Sequence, residues 1–141
     1  MIALQFDNTD ARQLIASKLR ELIPSPCRRI LLINPQHIPA DNFQIGKAIN
    51  NDYWAYQPYG CGVLCRNLKE RGYITDILDL NFEMLSETHR LKEDFQYSLW
   101  QDWLTAKIAE FKPDVIAISC MFTMSHGIIK DIAAFIKKYD P

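Results

Sequence analysis

Three short apolar runs along the chain predict β-strands. Residues 28–35 and 113–119 contain unbroken apolar runs rich in β-branched side chains, which is typical of strands covered on both faces of a parallel sheet. Residues 73–80 contain more polar side chains, so we expect this strand at the edge of the sheet. The uninterrupted first run is expected at its centre.

Apolar residues recur at helical spacing in four further segments, which predicts helices that pack on this sheet. The third segment contains a charged interruption at Glu93 and Asp94, where we expect one helix to end and another to begin. The four segments are residues 8–23, 58–72, 81–111 and 125–139.

The order of elements from residue 28 onward is therefore β-α-β-α-β-α. Right-handed crossovers between parallel strands place helices on both faces of the sheet. We predict an α/β fold of the Rossmann-like class, with flavodoxin-like strand order 2-1-3, preceded by an N-terminal helix.

The last predicted helix ends near residue 139, and the strand that should follow it is missing. We therefore interpret the sheet as truncated after the third βα unit, so that the chain is a fragment or is completed by a partner. One edge of the third strand would then be unpaired. Residues 1–27 are predicted to form a helical extension, and residues 28–141 an α/β domain that is incomplete at its C-terminus.

Composition narrows the class of protein. The 141 residues are 48% hydrophobic and 23% charged, with a net charge of −1, which indicates one globular domain without a nucleic-acid surface. No apolar run approaches the ~18 residues of a membrane span, and the N-terminus does not resemble a signal peptide. The four cysteines are therefore expected to be reduced thiols of a cytoplasmic protein.

Polar side chains follow the predicted third strand. Ser119, Cys120 and Thr123 lie at its carboxyl end, which is where ligands bind in open α/β sheets. Gly60 and Gly62 open the helix of residues 58–72 and would allow a ligand to approach its positive N-terminal end.

The connection over residues 36–57 has no clear periodicity and is rich in aromatic side chains. Loops of this length inside compact domains are usually functional or disordered. Tyr53, Trp54 and Tyr56 would either cover a flat ligand or fold back on the core. The sequence alone leaves both alternatives open.

Two cysteine and glycine patterns approach known motifs without matching them. The spacing Gly60-x-Gly62-x-x-Cys65 is close to a dinucleotide fingerprint, but that motif should directly follow the first strand, which ends near Asn34. The spacing Cys61-x-x-x-Cys65 is the first half of a CxxxCxxC cluster motif whose third cysteine is missing, so we expect two thiols that pack a helix.

The ends of the predicted strands also lack the residues that two other motifs of α/β proteins require. Asn34 and Ser119 occupy positions where a phospho-receiver domain needs acidic side chains, and residues 35–39 are not a flavodoxin phosphate loop. His37 and His126 lie near the predicted ligand edge, where we expect hydrogen-bonded loop histidines.

Three segments together resemble the N-terminal part of a cobalamin-binding domain of the kind fused to radical SAM enzymes. Residues 30–35 resemble the opening strand of that class. Residues 58–80 resemble its P-x-G motif, the leucine-rich helix that follows and a strand that ends in an aspartate, here Asp79. Residues 113–121 resemble its strand with an S-x-L motif, in which Met121 replaces the leucine.

The resemblance implies a base-off cobalamin without the usual histidine ligand. In better-known cobalamin modules the motif is D-x-H-x-x-G, and alignment on Asp79 places Gly62 at its glycine, Gln57 at its Asp and Tyr59 at its His. The resemblance also implies that Ser119 and Thr123 line a pocket for the dimethylbenzimidazole tail. The expected cofactor-binding residues are Asn34, Gln36, Tyr59, Gly60, Gly62, Ser119, Cys120, Met121 and Thr123.

The family architecture adds a barrel that binds a [4Fe–4S] cluster and S-adenosylmethionine. No CxxxCxxC motif occurs in this sequence, so both groups would belong to a C-terminal radical SAM domain or a separate chain. We therefore assign no catalytic residue and no metal ligand here, and expect cobalamin and the barrel as partners, without nucleic acid or membrane. The alternatives are a non-catalytic interaction or scaffold domain with a degenerate cofactor site, or another nucleotide-binding α/β domain.

Overall fold

The computed structural model describes residues 9–22, 26–120 and 125–139. Its helices are α1 (Thr9–Leu22), α2 (Ile45–Ile49), α3 (Tyr59–Lys69), α4 (Leu80–Leu91), α5 (Leu99–Phe111) and α6 (His126–Tyr139). Its strands are β1 (Arg29–Asn34), β2 (Ile74–Asp79) and β3 (Val115–Ile118).

The three strands form one parallel sheet in the order β2-β1-β3. The α/β class, the strand order and the edge position of β2 are therefore confirmed. Ile30 of β1 lies opposite Thr75 on one side and Val115 on the other, so the carboxyl ends of all three strands meet at one edge. Within the described residues, no strand pairs with the outer edge of β3.

The side chains of β1 alternate between two cores, because successive residues of a strand point to opposite faces. Leu31 and Ile33 belong to the larger core, which contains residues of α4, α5 and α6. Leu32 faces the other side, where it packs against Cys61 and Cys65 of α3. The expectation that these two cysteines are packing thiols is confirmed.

The long segment predicted to be helical between β2 and β3 is divided as expected. The chain adopts a positive φ of 52° at Lys92, and a 3₁₀ turn at Lys92–Asp94 separates α4 from α5. Asp79, the last residue of β2, caps α4 by accepting a 3.1 Å hydrogen bond from the backbone N–H of Phe82. A side chain at the carboxyl edge of the sheet therefore also determines where a helix begins.

The aromatic connection between β1 and α3 divides between the two predicted alternatives. Phe43 and Tyr53 fold back, with ring centroids 5.5 Å apart, and Phe43 packs against the larger core. Trp54 and Tyr56 instead stack on each other at 6.1 Å and remain exposed. The second pair therefore presents its rings to solvent, where a ligand could contact them.

Helix α1 is amphipathic, as predicted, but its apolar face is not covered by the described residues. Leu14, Ile15 and Leu19 are all more than half exposed. None of the helices in the described part of the chain is both long and apolar enough to cross a bilayer.

Candidate functional site

A cavity of about 390 Å³ opens at the carboxyl edge of the sheet. It lies between the ends of β1 and β3 and the first turns of α3. Its floor is the face of the sheet against which α3 packs, formed by β1 and β2. The lining residues are Leu32, Asn34, Tyr56, Gln57, Pro58, Tyr59, Gly60, Cys61, Leu64, Ala117, Ile118, Ser119 and Cys120.

Parallel pairing explains why residues distant in sequence meet here. The backbone N–H of Ser119 donates a 2.9 Å hydrogen bond to the carbonyl oxygen of Ile33, which extends the pairing of β1 and β3 to their ends. Asn34 and Ser119 therefore leave the sheet side by side. Helix α3 follows the long connection and places its N-terminal turn over the same edge.

A chain of hydrogen bonds forms the polar end of the cavity. The Oγ of Ser119 donates to Oδ1 of Asn34 at 3.3 Å, and Nδ2 of Asn34 donates to Oδ1 of Asp79 at 2.8 Å. Asn34 is only 4% exposed, so its carboxamide is held in one orientation by both contacts. These hydrogen bonds connect the ends of all three strands and hold the Ser119 hydroxyl at the cavity.

The thiol of Cys61 lines the cavity from the α3 side. Burial raises the pKa of this thiol. A buried thiol with a raised pKa is a poor nucleophile at neutral pH. Cys61 therefore acts as a wall of the cavity.

The remainder of the wall is apolar and partly open. Leu32 and Ala117 contribute side chains from the strands, and Leu64 contributes one from α3. All four residues of β3 are only half-buried. The arrangement suits a ligand with an apolar, flat body and a few polar groups at one end.

Five of the nine expected site residues line this cavity: Asn34, Tyr59, Gly60, Ser119 and Cys120. Gly62 lies on α3 but does not contribute to the lining, and Gln36 lines a different cavity. Met121 and Thr123 lie outside the described residues.

Two further lining residues were not expected from the sequence, although helical spacing could have identified them. Cys61 and Leu64 lie one and four residues after Gly60, so they share one side of α3. Ala117 and Ile118 gave no such signal, because a buried apolar run does not reveal which part of it remains uncovered.

Neither candidate histidine belongs to the lining of this cavity. The backbone N–H of His37 donates to Oδ1 of Asn81 at 3.0 Å, and burial lowers the pKa of the His37 imidazole. This side chain lies in a neighbouring hollow with Trp54 and Tyr56. His126 is an exposed residue at the start of α6.

Tyr59, at the position that the resemblance assigns to the cobalt-ligating histidine, is 81% exposed at the mouth of the cavity. No group of three or more His, Cys, Asp or Glu side chains within the described ranges is arranged to hold a metal ion. No disulfide bond forms among the cysteines.

Comparison with known proteins adds no family assignment: no protein-family profile, curated protein or solved structure matches this chain.

Proposed function

We propose that the chain binds cobalamin through its nucleotide tail, as an accessory domain of a radical SAM enzyme. The observation that supports this most directly is the 390 Å³ cavity between Asn34, Ser119 and the first turn of α3. The resemblance implies a ligand pocket at Ser119, and the shared lining of this cavity by Asn34 and Ser119 supports the proposal.

The lining fits the dimethylbenzimidazole tail of cobalamin. The heterocycle is flat and mostly apolar, and the walls formed by Leu32, Ala117 and Leu64 have the same character. The Ser119 hydroxyl is engaged with Asn34 as a donor and retains lone pairs that can accept a hydrogen bond. A Cβ at Gly60 would have no atom within 4 Å, so the space above the start of α3 is open.

The chain would supply binding and orientation, and cobalamin would supply the reactivity of its cobalt. The cofactor would be bound base-off, with Tyr59 at the position that the resemblance assigns to the lower histidine ligand. Tyr56 lines the cavity and stacks on the exposed Trp54 of the neighbouring hollow, so the pair would offer an apolar surface to the corrin body. The iron–sulfur cluster and S-adenosylmethionine would be bound by a separate radical SAM domain.

The test is retention of hydroxocobalamin by the purified chain after desalting, read from the visible absorbance of the corrin. We expect stoichiometric retention, and much less retention of cobinamide, which has the corrin ring but no nucleotide tail. Equal retention of both would contradict the assignment of the tail to this cavity. Absence of retained absorbance with hydroxocobalamin would contradict the proposed function and favour the interaction-domain alternative.

A substitution in the lining tests whether cobalamin binds in this cavity. Ser119→Leu fills the polar end of the cavity and should weaken retention at least about tenfold, because the larger side chain takes the space of the ligand. The matched control is Ser86→Leu, which makes the same exchange at an exposed position of α4. Circular dichroism establishes that both variants fold, and unchanged retention by folded Ser119→Leu would contradict the proposal.

A further inference from the structure

Gln36 is a buried side chain that the proposed cofactor site does not use. It follows β1 by two residues and is 2% exposed. Neither Oε1 nor Nε2 of its carboxamide has a hydrogen-bond partner among the described residues. Buried carboxamides are normally paired because desolvation without a partner is unfavourable. An unpaired one suggests that a ligand supplies the missing hydrogen bonds.

A second cavity, of about 220 Å³, begins at Gln36. It lies between the segment after β1 and the helices α5 and α6, which belong to the larger core. The cavity of the proposed cofactor lies on the opposite, α3 side of the sheet. The two sites are therefore distinct. The lining residues are Gln36, Pro39, Ala40, Asp41, Tyr97, Trp100, Gly127, Ile128 and Asp131.

The charge of the lining favours a cation. Asp41 and Asp131 contribute two carboxylates, and none of the described lining residues is a lysine or arginine. The hydroxyl of Tyr97 donates to the carbonyl oxygen of Ile38 at 2.7 Å, so toward the cavity it can only accept a hydrogen bond. Burial and, to a smaller extent, the negative charge of Asp131 raise the pKa of Tyr97, and both residues line the cavity.

The remaining walls favour an organic cation over a metal ion. Trp100 and Ile128 are apolar, and the cavity is much larger than a single ion requires. No metal-ligating group of three or more side chains occurs in the described residues. An ammonium group suits the two carboxylates and can also lie against the Trp100 ring. The Gln36 carboxamide has both a donor and an acceptor, which suits a ligand that also carries an oxygen atom.

We propose that this cavity binds a small primary amine that also carries a carbonyl or hydroxyl oxygen, with Asp41 and Asp131 attracting the ammonium group and Gln36 pairing with the oxygen-bearing group. The proposal does not depend on cobalamin binding. It is tested on the cobalamin-free chain, so that failure of either proposal leaves the other intact.

Glycinamide is a suitable probe because it combines an ammonium group with a carboxamide. The test is titration of the ¹⁵N-labelled full chain, following the side-chain NH₂ signals of Gln36, which are assigned by their loss in Gln36→Met. We expect saturable shifts with a dissociation constant on the order of 1 mM, as is reasonable for so small a ligand. N-acetylglycinamide, which lacks the charge, should bind at least about tenfold more weakly.

Two charge variants make the test specific. Asp131→Asn should weaken glycinamide binding about tenfold, whereas Asp102→Asn, the same exchange at an exposed position of α5 outside the lining, should leave it unchanged. Unmoved Gln36 signals at about 50 mM glycinamide would mean that water alone fills the cavity, which overturns the proposal. Equal binding of the charged and uncharged probes would also overturn it.

Thermal unfolding of Gln36→Met provides a second measurement. If the carboxamide is unpaired in the ligand-free protein, replacing it by an apolar side chain of similar length should raise the melting temperature by about 3 °C while abolishing glycinamide binding. A lower melting temperature would show that the carboxamide serves the fold and would contradict the proposal.

Discussion

The Oγ of Ser119 donates a 3.3 Å hydrogen bond to Oδ1 of Asn34, although 85 positions separate the two residues in sequence. The Nδ2 of Asn34 in turn donates a hydrogen bond to Oδ1 of Asp79, and the same oxygen caps α4. One carboxamide therefore joins the ends of all three strands and the start of a helix. Asn34 and Ser119 also border the cavity to which we assign the cofactor.

Removal of this carboxamide should destabilise the domain. Asn34→Ala breaks the bond to the Asp79 carboxylate and the bond from Ser119, and it leaves polar groups without partners at a site that is 4% exposed. We expect a loss of about 2–3 kcal/mol in the free energy of unfolding, measured by urea denaturation.

The matched control for that variant is Asn67→Ala on the exposed side of α3. Its Nδ2 donates only to the carbonyl oxygen of Val63, within the same helix. The expected change is within about 0.5 kcal/mol, as is usual for surface substitutions. Equal losses for the two variants would contradict the structural role given to Asn34.

Asp114 should make the stability of the sheet depend on pH. Its Oδ2 accepts hydrogen bonds from the backbone N–H groups of Arg28 and Arg29, at 2.7 and 2.8 Å. These two hydrogen bonds lower the pKa of the carboxyl group from its ordinary value of 3.8. A carboxyl group with a lower pKa in the folded state contributes stability above its unfolded pKa, and the contribution is lost as the pH falls through the folded pKa.

Urea denaturation between neutral pH and about pH 3 measures this effect. Below about pH 4 the wild-type midpoint should fall more steeply than that of Asp114→Asn, which has no carboxyl group to protonate. Asp102→Asn on α5 removes a carboxyl group elsewhere and should follow the wild-type curve. A parallel decline of wild type and Asp114→Asn would contradict the assigned role.

The four cysteines should differ in their reaction with iodoacetamide. Cys120 is exposed, whereas Cys61 and Cys65 are buried against Leu32, and burial raises the pKa of Cys61. Because the thiolate is the reacting species, Cys61 should be alkylated at least about a hundredfold more slowly than Cys120 in the folded chain.

Peptide mass spectrometry at successive times measures the alkylation. The control is the same reaction in concentrated urea, where the two rates should converge because the difference in burial is lost. Similar rates for Cys61 and Cys120 in the folded chain would show that α3 does not cover its cysteines as the structure has it.

Local pattern was sufficient for the three strands, for the five longer helices and for the order of the strands, but it did not predict the short helix α2 in the aromatic connection. The continuous apolar runs of β1 and β3 require burial on both faces, and the helices between them require parallel crossovers. Parallel strands end at one edge, so the approach of Asn34 to Ser119 followed from the sequence. The exclusion of Gly62 from the lining was also accessible, because two residues of helix rotate a position by about 200° away from Gly60.

The position of Gln36 could not be predicted from strand alternation. Strand alternation would place it on the same face as Leu32 and Asn34, yet it lines the cavity on the α5 and α6 side. The strand ends at Asn34, and alternation has no meaning beyond the last ladder residue. Likewise, no periodicity distinguished Tyr53, which packs on Phe43, from its exposed neighbour Trp54.

The α/β class, the strand order and the shared edge of Asn34 and Ser119 could therefore be predicted from sequence, because they depend on local period and burial. That Cys61 and Leu64 complete one cavity while Gln36 lines another is visible only in the folded chain. The physical reason is that irregular segments take their direction from contacts between residues far apart in sequence, and no local pattern records those contacts.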